Sequence, residues 1–395
     1  MTADTAAAGS TASRTVPFVF TGKAKEYFSI WIVNVALTIL TLGVYSAWAK
    51  VRTSQYFYGN TYLDDASFRY LAEPLQILRG RLVAFVLLVA YYFSGLISPK
   101  ASAIIMMAIL VLFPAFLVMS MAFRLRNSAW RNVRFGFQKK FGRAYAIFTV
   151  PALLLGAMVF AGSFMVPEQA AAMNEEELRE SMPPAWLVLV PMLLWFLSFP
   201  LFEYLLARFR VVHARYGAED FGFHANAGSY YWMYIAALFV MLLAVIVVSG
   251  AMAVTTAALG AFGMLTTDAA ASRGAHFIPL ILFVVALPFY LWVFAFFQAR
   301  RTNLVFNNIE VAGHRLQSDL RVADLLGLYF TNTLAILLSL GLLIPWAKVR
   351  TARYRASRTG LLAHGDLGEF SNVQRERQSA MGEEIGDMLD LDLGF

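Results

Sequence analysis

Residues 28–53 read FSIWIVNVALTILTLGVYSAWAKVRT, an apolar run interrupted by Asn34, broken at Thr41-Leu42-Gly43 and closed by Lys50 and Arg52. Its last six letters, WAKVRT, recur unchanged at 346–351. The same register pairs Asn34 with Asn332, Gly43 with Gly341 and Tyr56 with Tyr354. An identical hexapeptide with three further partners in register marks two copies of one unit, 15–60 and 310–358. Two such copies should present their basic ends to the same face.

Working outward, the chain holds further apolar stretches at 82–97, 101–123, 144–166, 185–207, 230–254 and 277–297, with 28–48 and 325–346 at the ends. Most reach the ~20 residues that cross ~30 Å of hydrocarbon as helix. Basic residues sort the loops. If both termini and the segments 50–81, 123–143, 208–229 and 298–322 face the cytoplasm, every one of the 32 Lys and Arg lies inside except Lys100, Arg179 and Arg273. Eight full crossings cannot satisfy that distribution. The reading that does is a mainly α polytopic membrane protein with six transmembrane helices and two re-entrant helical hairpins at the related ends, each turning at its polar break.

Composition agrees with a membrane setting. The 395 residues are 59% hydrophobic and only 14% charged, with mean hydropathy +0.61, whereas soluble domains carry roughly 25% charged residues. That excludes a soluble enzyme, and the apolar content with zero cysteine excludes disorder and a disulfide scaffold. The net charge of +7 belongs to the inner loops, which argues against nucleic acid as a partner. Residues 1–14 are small and polar and read as a disordered start before a single membrane domain at 15–370, with three helical hairpins between the end units. An acidic tail follows at 371–395, where Glu376, Glu383, Glu384, Asp387, Asp390 and Asp392 face only Arg375 and Arg377. It could dock on the protein's own basic face or serve a protein partner.

A weaker motif recurs through the chain: Phe18/Phe20, Phe68/Tyr70, Phe135/Phe137 and Phe221/Phe223. Rings at i and i+2 share one face of a strand, so four short cytoplasmic strands are expected, with interfacial aromatic anchors as the alternative. Pro114, Pro200 and Pro288 each precede an arginine cluster, at 124/126, 208/210 and 300/301.

Catalytic constellations are missing from the sequence. The histidines at 213, 224, 276, 314 and 364 are scattered, without a metal-binding or nucleophile motif, so no enzyme, cofactor or metal is expected. Asn34 and Asn332 are the polar residues within apolar stretches that could line a polar path, or could fix helix packing. Trp48, Lys50, Arg52 and their counterparts Trp346, Lys348 and Arg350 suit the headgroup level, as anchors to anionic inner-leaflet lipid or as contacts to an anionic ligand. Glu203 should pair with Arg208 or Arg210 near the inner end of its helix.

With FTGKAKEYFSIWIVNVALTILTLGVYSAWAKVRTSQYFYGNTYLDDASFRYLAEPLQILRGR at 20–81 and GEEIGDMLDLDLGF at 382–395, the chain resembles the DUF898 or YjgN family over 18–395. The resemblance implies a multi-pass protein of the bacterial cytoplasmic membrane, and a tail that belongs to the family pattern. It implies no established activity, so no catalytic residue carries over. One internal departure is Pro345 where the first unit has Ala47. The functional expectation is a transporter or channel-like protein for a small solute or ion; the rival is a non-transporting scaffold that binds lipid or a partner.

Overall fold

A computed structural model describes residues 13–163, 184–261 and 268–392. The chain runs strand, helix, helix, strand five times. The first unit is β1 (Ser13–Phe20), α1 (Ala24–Leu40), α2 (Ser46–Gly59) and β2 (Thr61–Leu63). The second is β3 (Ala66–Tyr70), α3 (Pro74–Ile97), α4 (Pro99–Arg126) and β4 (Ser128–Trp130). The third comprises β5 (Val133–Phe137), α5 (Phe141–Ser163), α6 (Trp186–Val212) and β6 (Ala214–Tyr216). The fourth comprises β7 (Glu219–Phe223), α7 (Ala227–Ala261), α8 (Asp268–Phe306) and β8 (Ile309–Val311). The fifth is β9 (His314–Ser318), α9 (Val322–Leu338), α10 (Ile344–Ser357) and β10 (Thr359–His364), and a last helix, α11 (Leu367–Asp392), follows it.

Successive units are joined by two-residue turns between a three-residue and a five-residue strand. Asp64-Asp65, Arg131-Asn132 and Ala312-Gly313 hold positive φ at both positions, and Gly217 opens the turn between β6 and β7 at φ 61°. Turns of this hand match the twist of paired strands, which is why two residues suffice. Strand β1 then pairs with β2 on one side and with β10 on the other, in the register Val16 with Leu361, closing ten antiparallel strands into a barrel. All five helical hairpins leave from the end opposite the short turns.

This barrel corrects the expected fold class. The six transmembrane helices, two re-entrant hairpins and few strands read from the sequence give way to a closed ten-stranded antiparallel barrel, and among the described residues four helices are long and apolar enough to cross a membrane: Pro74–Ile97, Pro99–Arg126, Phe141–Val159 and Trp186–Val212. The physical reason is that strands of three to five residues, paired across long helical insertions, carry too little alternation to register as a sheet. The four aromatic pairs lie in β1, β3, β5 and β7. Ser13 and Arg14, expected to be disordered, pair with His364 and Ala363 as the start of β1; residues 1–12 lie outside the described ones.

Eight strands already enclose an interior that side chains can just fill, so ten need large ones. Val16, Phe18, Leu63, Phe68, Trp130, Val133, Phe135, Tyr216, Phe221 and Leu361 fill it as one apolar cluster. Their rings form a chain: Phe18 to Phe68 at 6.0 Å, Phe68 to Trp130 at 6.3 Å, Trp130 to Tyr216 at 5.9 Å and Tyr216 to Phe135 at 5.1 Å. The polar tips are satisfied inside: Trp130 Nε1 donates to the carbonyls of Leu63 (3.3 Å) and Ala66 (3.2 Å), and Tyr216 donates to that of Trp130 (3.1 Å). Burial raises the Tyr216 pKa, keeping it a donor.

Helix α11 stops the turn end of the barrel. Leu367 joins the apolar cluster, and Phe370 stacks on Tyr216 at 5.7 Å and meets His314 edge-on at 4.9 Å. One turn on, buried Gln374 accepts from the Ala218 N–H (3.1 Å) and lies so close to Gly217 that a Cβ there would stand 2.9 Å from its own Cβ. Gln378 both accepts from the N–H and donates to the carbonyl of Arg134, at 3.1 and 3.3 Å. The ion pair at this seat, Arg377 with Glu219 at 2.9 Å, has the base on the tail and the acid on the barrel. Of the tail carboxylates on which the expected electrostatic docking rested, Glu376 is exposed and makes no ion pair among the described residues, and those from Glu383 onward lie outside the described side chains.

His314 is buried and its Nδ1 accepts the His364 N–H at 3.1 Å, which requires a neutral ring. Burial first, and the charge of His364 second, lower its pKa from the ordinary 6.5. The unfolded chain therefore binds the proton more readily, so this contribution to stability is complete above pH ~6.5 and is lost as pH falls toward the lowered native value. Proteolytic release of α11 should rise between pH 7.5 and 5, and His314→Leu should flatten that rise; an unaltered profile in the variant would remove His314 as its origin.

Candidate functional site

Where the helices leave the barrel, a chamber of about 680 Å³ opens between α4, α6 and the strands. Its floor is the upper rim of the aromatic filling, Phe135, Phe137 and Phe221; its wall is Phe113, Phe116 and Leu117 of α4. Two charged groups enter this apolar space, Arg124 from α4 and Arg210 from α6. Each stands four residues ahead of the strand that follows its helix, β4 or β6. That shared position is the signal that could have singled them out from the other arginines of the two clusters. Their convergence depends on β5, which pairs with β4 of the second unit on one side and with β6 of its own unit on the other, bringing the ends of α4 and α6 together.

The residues marked from the sequence fall into two groups. Asn34 and Asn332 are buried and turn onto the second helix of their own hairpin. Asn332 Nδ2 donates to the Ala347 carbonyl (3.4 Å) and Thr351 Oγ1 (3.2 Å), while its Oδ1 accepts from Arg350 (3.2 Å). Asn34 reaches only the Ala49 carbonyl at 3.5 Å, and its Oδ1 has no partner. The difference traces to one neighbour: Arg350 is also held by Thr331 at 2.6 Å, where the first unit has Val33, and Arg52 turns instead to Tyr45 at 3.2 Å. Neither asparagine is among the residues lining the chamber.

Trp346 receives the Arg350 guanidinium over its ring at 5.2 Å, and Trp48 stacks on Tyr45 at 6.0 Å. Arg52 and Arg350 are thus engaged inside their hairpins, whereas Lys50 and Lys348 have no hydrogen bond or ion pair among the described residues. Tyr56 and Tyr354 play matching parts. Each accepts from the backbone N–H just ahead of α1 or α9, that of Lys23 at 2.7 Å or Arg321 at 3.1 Å, fixing where that helix begins. Glu203, 3% exposed, pairs with Arg301 of α8 and accepts from Tyr234 of α7, tying three helices together. Its expected partners Arg208 and Arg210 are left free of it. No group of three His, Asp or Glu side chains among the described residues is placed to hold a metal ion.

A profile of the family described as "Bacterial protein of unknown function (DUF898)" matches residues 15–388, from the first barrel strand into α11. The chain belongs to the DUF898 family. Within it, the chain is 31% identical over 144 residues to the inner membrane protein YjgN of Salmonella typhimurium, covering 35% of this chain and 36% of that relative. It is 30% identical over 164 residues to the inner membrane protein YjgN of Escherichia coli K12, covering 39% and 40%. The matched stretch thus spans about two fifths or less of these relatives' length. No solved structure matches the chain. The DUF898 match takes in every barrel strand but the first two residues of β1, together with both chamber arginines.

The unequal asparagines give a direct comparison. Asn332→Ala removes three polar contacts and leaves Arg350 to Thr331 and the Trp346 ring, so it should destabilise the purified protein by about 1–2 kcal/mol more than Asn34→Ala in denaturant unfolding. Equal losses would mean that the extra bonds contribute nothing net.

Proposed function

We propose that this is a multi-pass protein of the bacterial inner membrane that binds an anionic, lipid-like molecule in the chamber between barrel and helices. The single observation that carries this reading is the pairing of an apolar enclosure with two convergent arginines, Arg124 and Arg210, neither of which has a carboxylate partner among the described residues. An apolar cavity holds hydrocarbon, and a guanidinium at its mouth holds a carboxylate or phosphate. Contacts with anionic inner-leaflet lipid through Lys50 and Lys348 belong to the same reading, as do protein partners for the cytoplasmic face.

The inner-membrane setting rests on the relatives' names and on the apolar outer faces of α3 to α6, where Phe85 and Leu88 are more than 60% exposed. Positive charge concentrated on the barrel side supports a reading in which the barrel and both termini face the cytoplasm. The transporter reading lacks a comparable observation. Binding therefore ranks ahead of conduction, and we assign no enzymatic role.

Lipid extracted from protein purified in mild detergent should contain a retained anionic species. The double variant Arg124→Ala/Arg210→Ala should lose it roughly tenfold or more, since each hydrogen bond to a charged group contributes ~1.5–3 kcal/mol. Identical lipid content in the two proteins would overturn the proposal. Because the chain has no cysteine, Val19→Cys on the barrel and Leu96→Cys at the far end of α3 report topology directly. Labelling from opposite sides of the membrane is expected, and labelling of both from one side would sink the orientation.

A further inference from the structure

Several bases of the barrel and of α11 have acids beside them: Arg14 and Arg131 share Asp64, Arg215 meets Asp220, Arg315 meets Glu310 and Arg377 of α11 meets Glu219, while Arg69 and Arg134 have no ion pair among the described residues. At the helix end Lys23 pairs with Glu26, Arg301 with Glu203 and Arg358 with Asp324, but a further set of bases stands without acids. Lys50 of α2, Arg81 of α3, Arg124 of α4, Arg210 of α6 and Lys348 of α10 have no ion pair among the described residues. These bases are also near one another. Arg81 donates to Ser46 Oγ, one helical turn before Lys50. Burial first, and then the like charges of its neighbours Arg124, Lys348 and Arg81, lower the pKa of Lys50. Arg124 is in turn a neighbour of Arg210, beside which Glu203 is the one carboxylate among the described residues and is already paired with Arg301.

Barrel closure explains the convergence. The first unit lies between the second and the fifth, through β2–β3 and β1–β10, so Lys50 is approached by bases from both sides. A single negative charge would leave most of this cluster uncompensated. A phosphate monoester carries close to two charges at neutral pH and a diphosphate more, with several acceptor oxygens to divide among guanidinium and ammonium donors.

We infer that the ligand of the chamber bears a terminal phosphate or diphosphate group, seated between Arg124 and Arg210 and balanced further by Lys50 and Lys348, with its hydrocarbon lying along Phe113 and Phe116. This rests on the reading of the chamber as an amphiphile site and specifies the head group it takes. Bridging phosphodiesters, with one charge, and fatty carboxylates are the poorer ligands.

The test uses the full-length protein in nanodiscs of neutral lipid and three probes: phosphatidic acid, phosphatidylglycerol with the same chains, and inorganic pyrophosphate. Phosphatidic acid should bind roughly tenfold or more tightly than phosphatidylglycerol, at ~1 kcal/mol per additional basic contact. Pyrophosphate, lacking a chain, should compete weakly. Lys50→Gln with Lys348→Gln should erase the preference, and Lys50→Arg with Lys348→Arg should restore it, which separates lost charge from lost folding. Equal binding of the two lipids, both weakened by Arg124→Ala, would overturn the head-group inference while leaving the amphiphile site standing. Binding of neither lipid would remove both. Pyrophosphate competing as well as phosphatidic acid would show a site for free polar anions and overturn the assignment to a lipid.

Discussion

Residues 13–17 pair with 360–364, and this one antiparallel contact joins the first strand of the chain to the last. Without it the remaining strands would form an open sheet of very short elements with two exposed edges, unstable in itself and prone to pair with other chains. With it, every strand has two neighbours, and the interior becomes a closed space that rings can fill. Gly360 sits at this seam, where a Cβ would stand 3.2 Å from the Val16 carbonyl oxygen. The seam also fixes which helical hairpins are neighbours. It packs α10 against β1 and joins Val349 to Tyr27 and Phe20 in one cluster, while Arg353 donates to the Gly22 carbonyl across the chain's two ends.

Everything at the helix end follows from that closure. Ten strands joined alternately by two-residue turns and long helical insertions must send every insertion out of one end, and the turn end is left for α11. The packed rings then divide the protein into two regions of different character. Below them, several bases sit in ion pairs, and α11 is held by Leu367 and Phe370 and by amide contacts to backbone. Above them, helix ends deliver bases from several units into the neighbourhood of one apolar chamber, with Glu203 as a carboxylate already satisfied by Arg301. Bases without acids beside an apolar chamber are the feature that points to an external anion.

The two end units show how sequence identity and local equivalence can part. WAKVRT is unchanged between them, and Tyr56 and Tyr354 fix their helix starts through matching bonds. Yet Thr331 in one unit and Val33 in the other send the corresponding arginines to different partners, and only Asn332 gains a bonded Oδ1. The asparagines were legible as buried polar groups because an apolar run makes any amide conspicuous. The arginines of the chamber were visible only as members of clusters, since nothing in one helix states which of its bases will meet a base from another. The turns were equally hard to read: Asp-Asp, Arg-Asn and Ala-Gly do the work that Asn-Gly signals more openly, and three-residue strands offer no period to count.

By itself the sequence determined the membrane setting, the family resemblance, the identity in register of the two ends and the loops in which positive charge collects. Each of these is a local or additive property: hydropathy, charge per loop and identity in register can be summed along a chain. Only the tertiary structure decided that the short aromatic segments join in one closed barrel, that α11 seals it, and that Arg124 and Arg210 face a common chamber. Those outcomes depend on pairings between residues tens to hundreds of positions apart, whose energy exists only once the ring is closed.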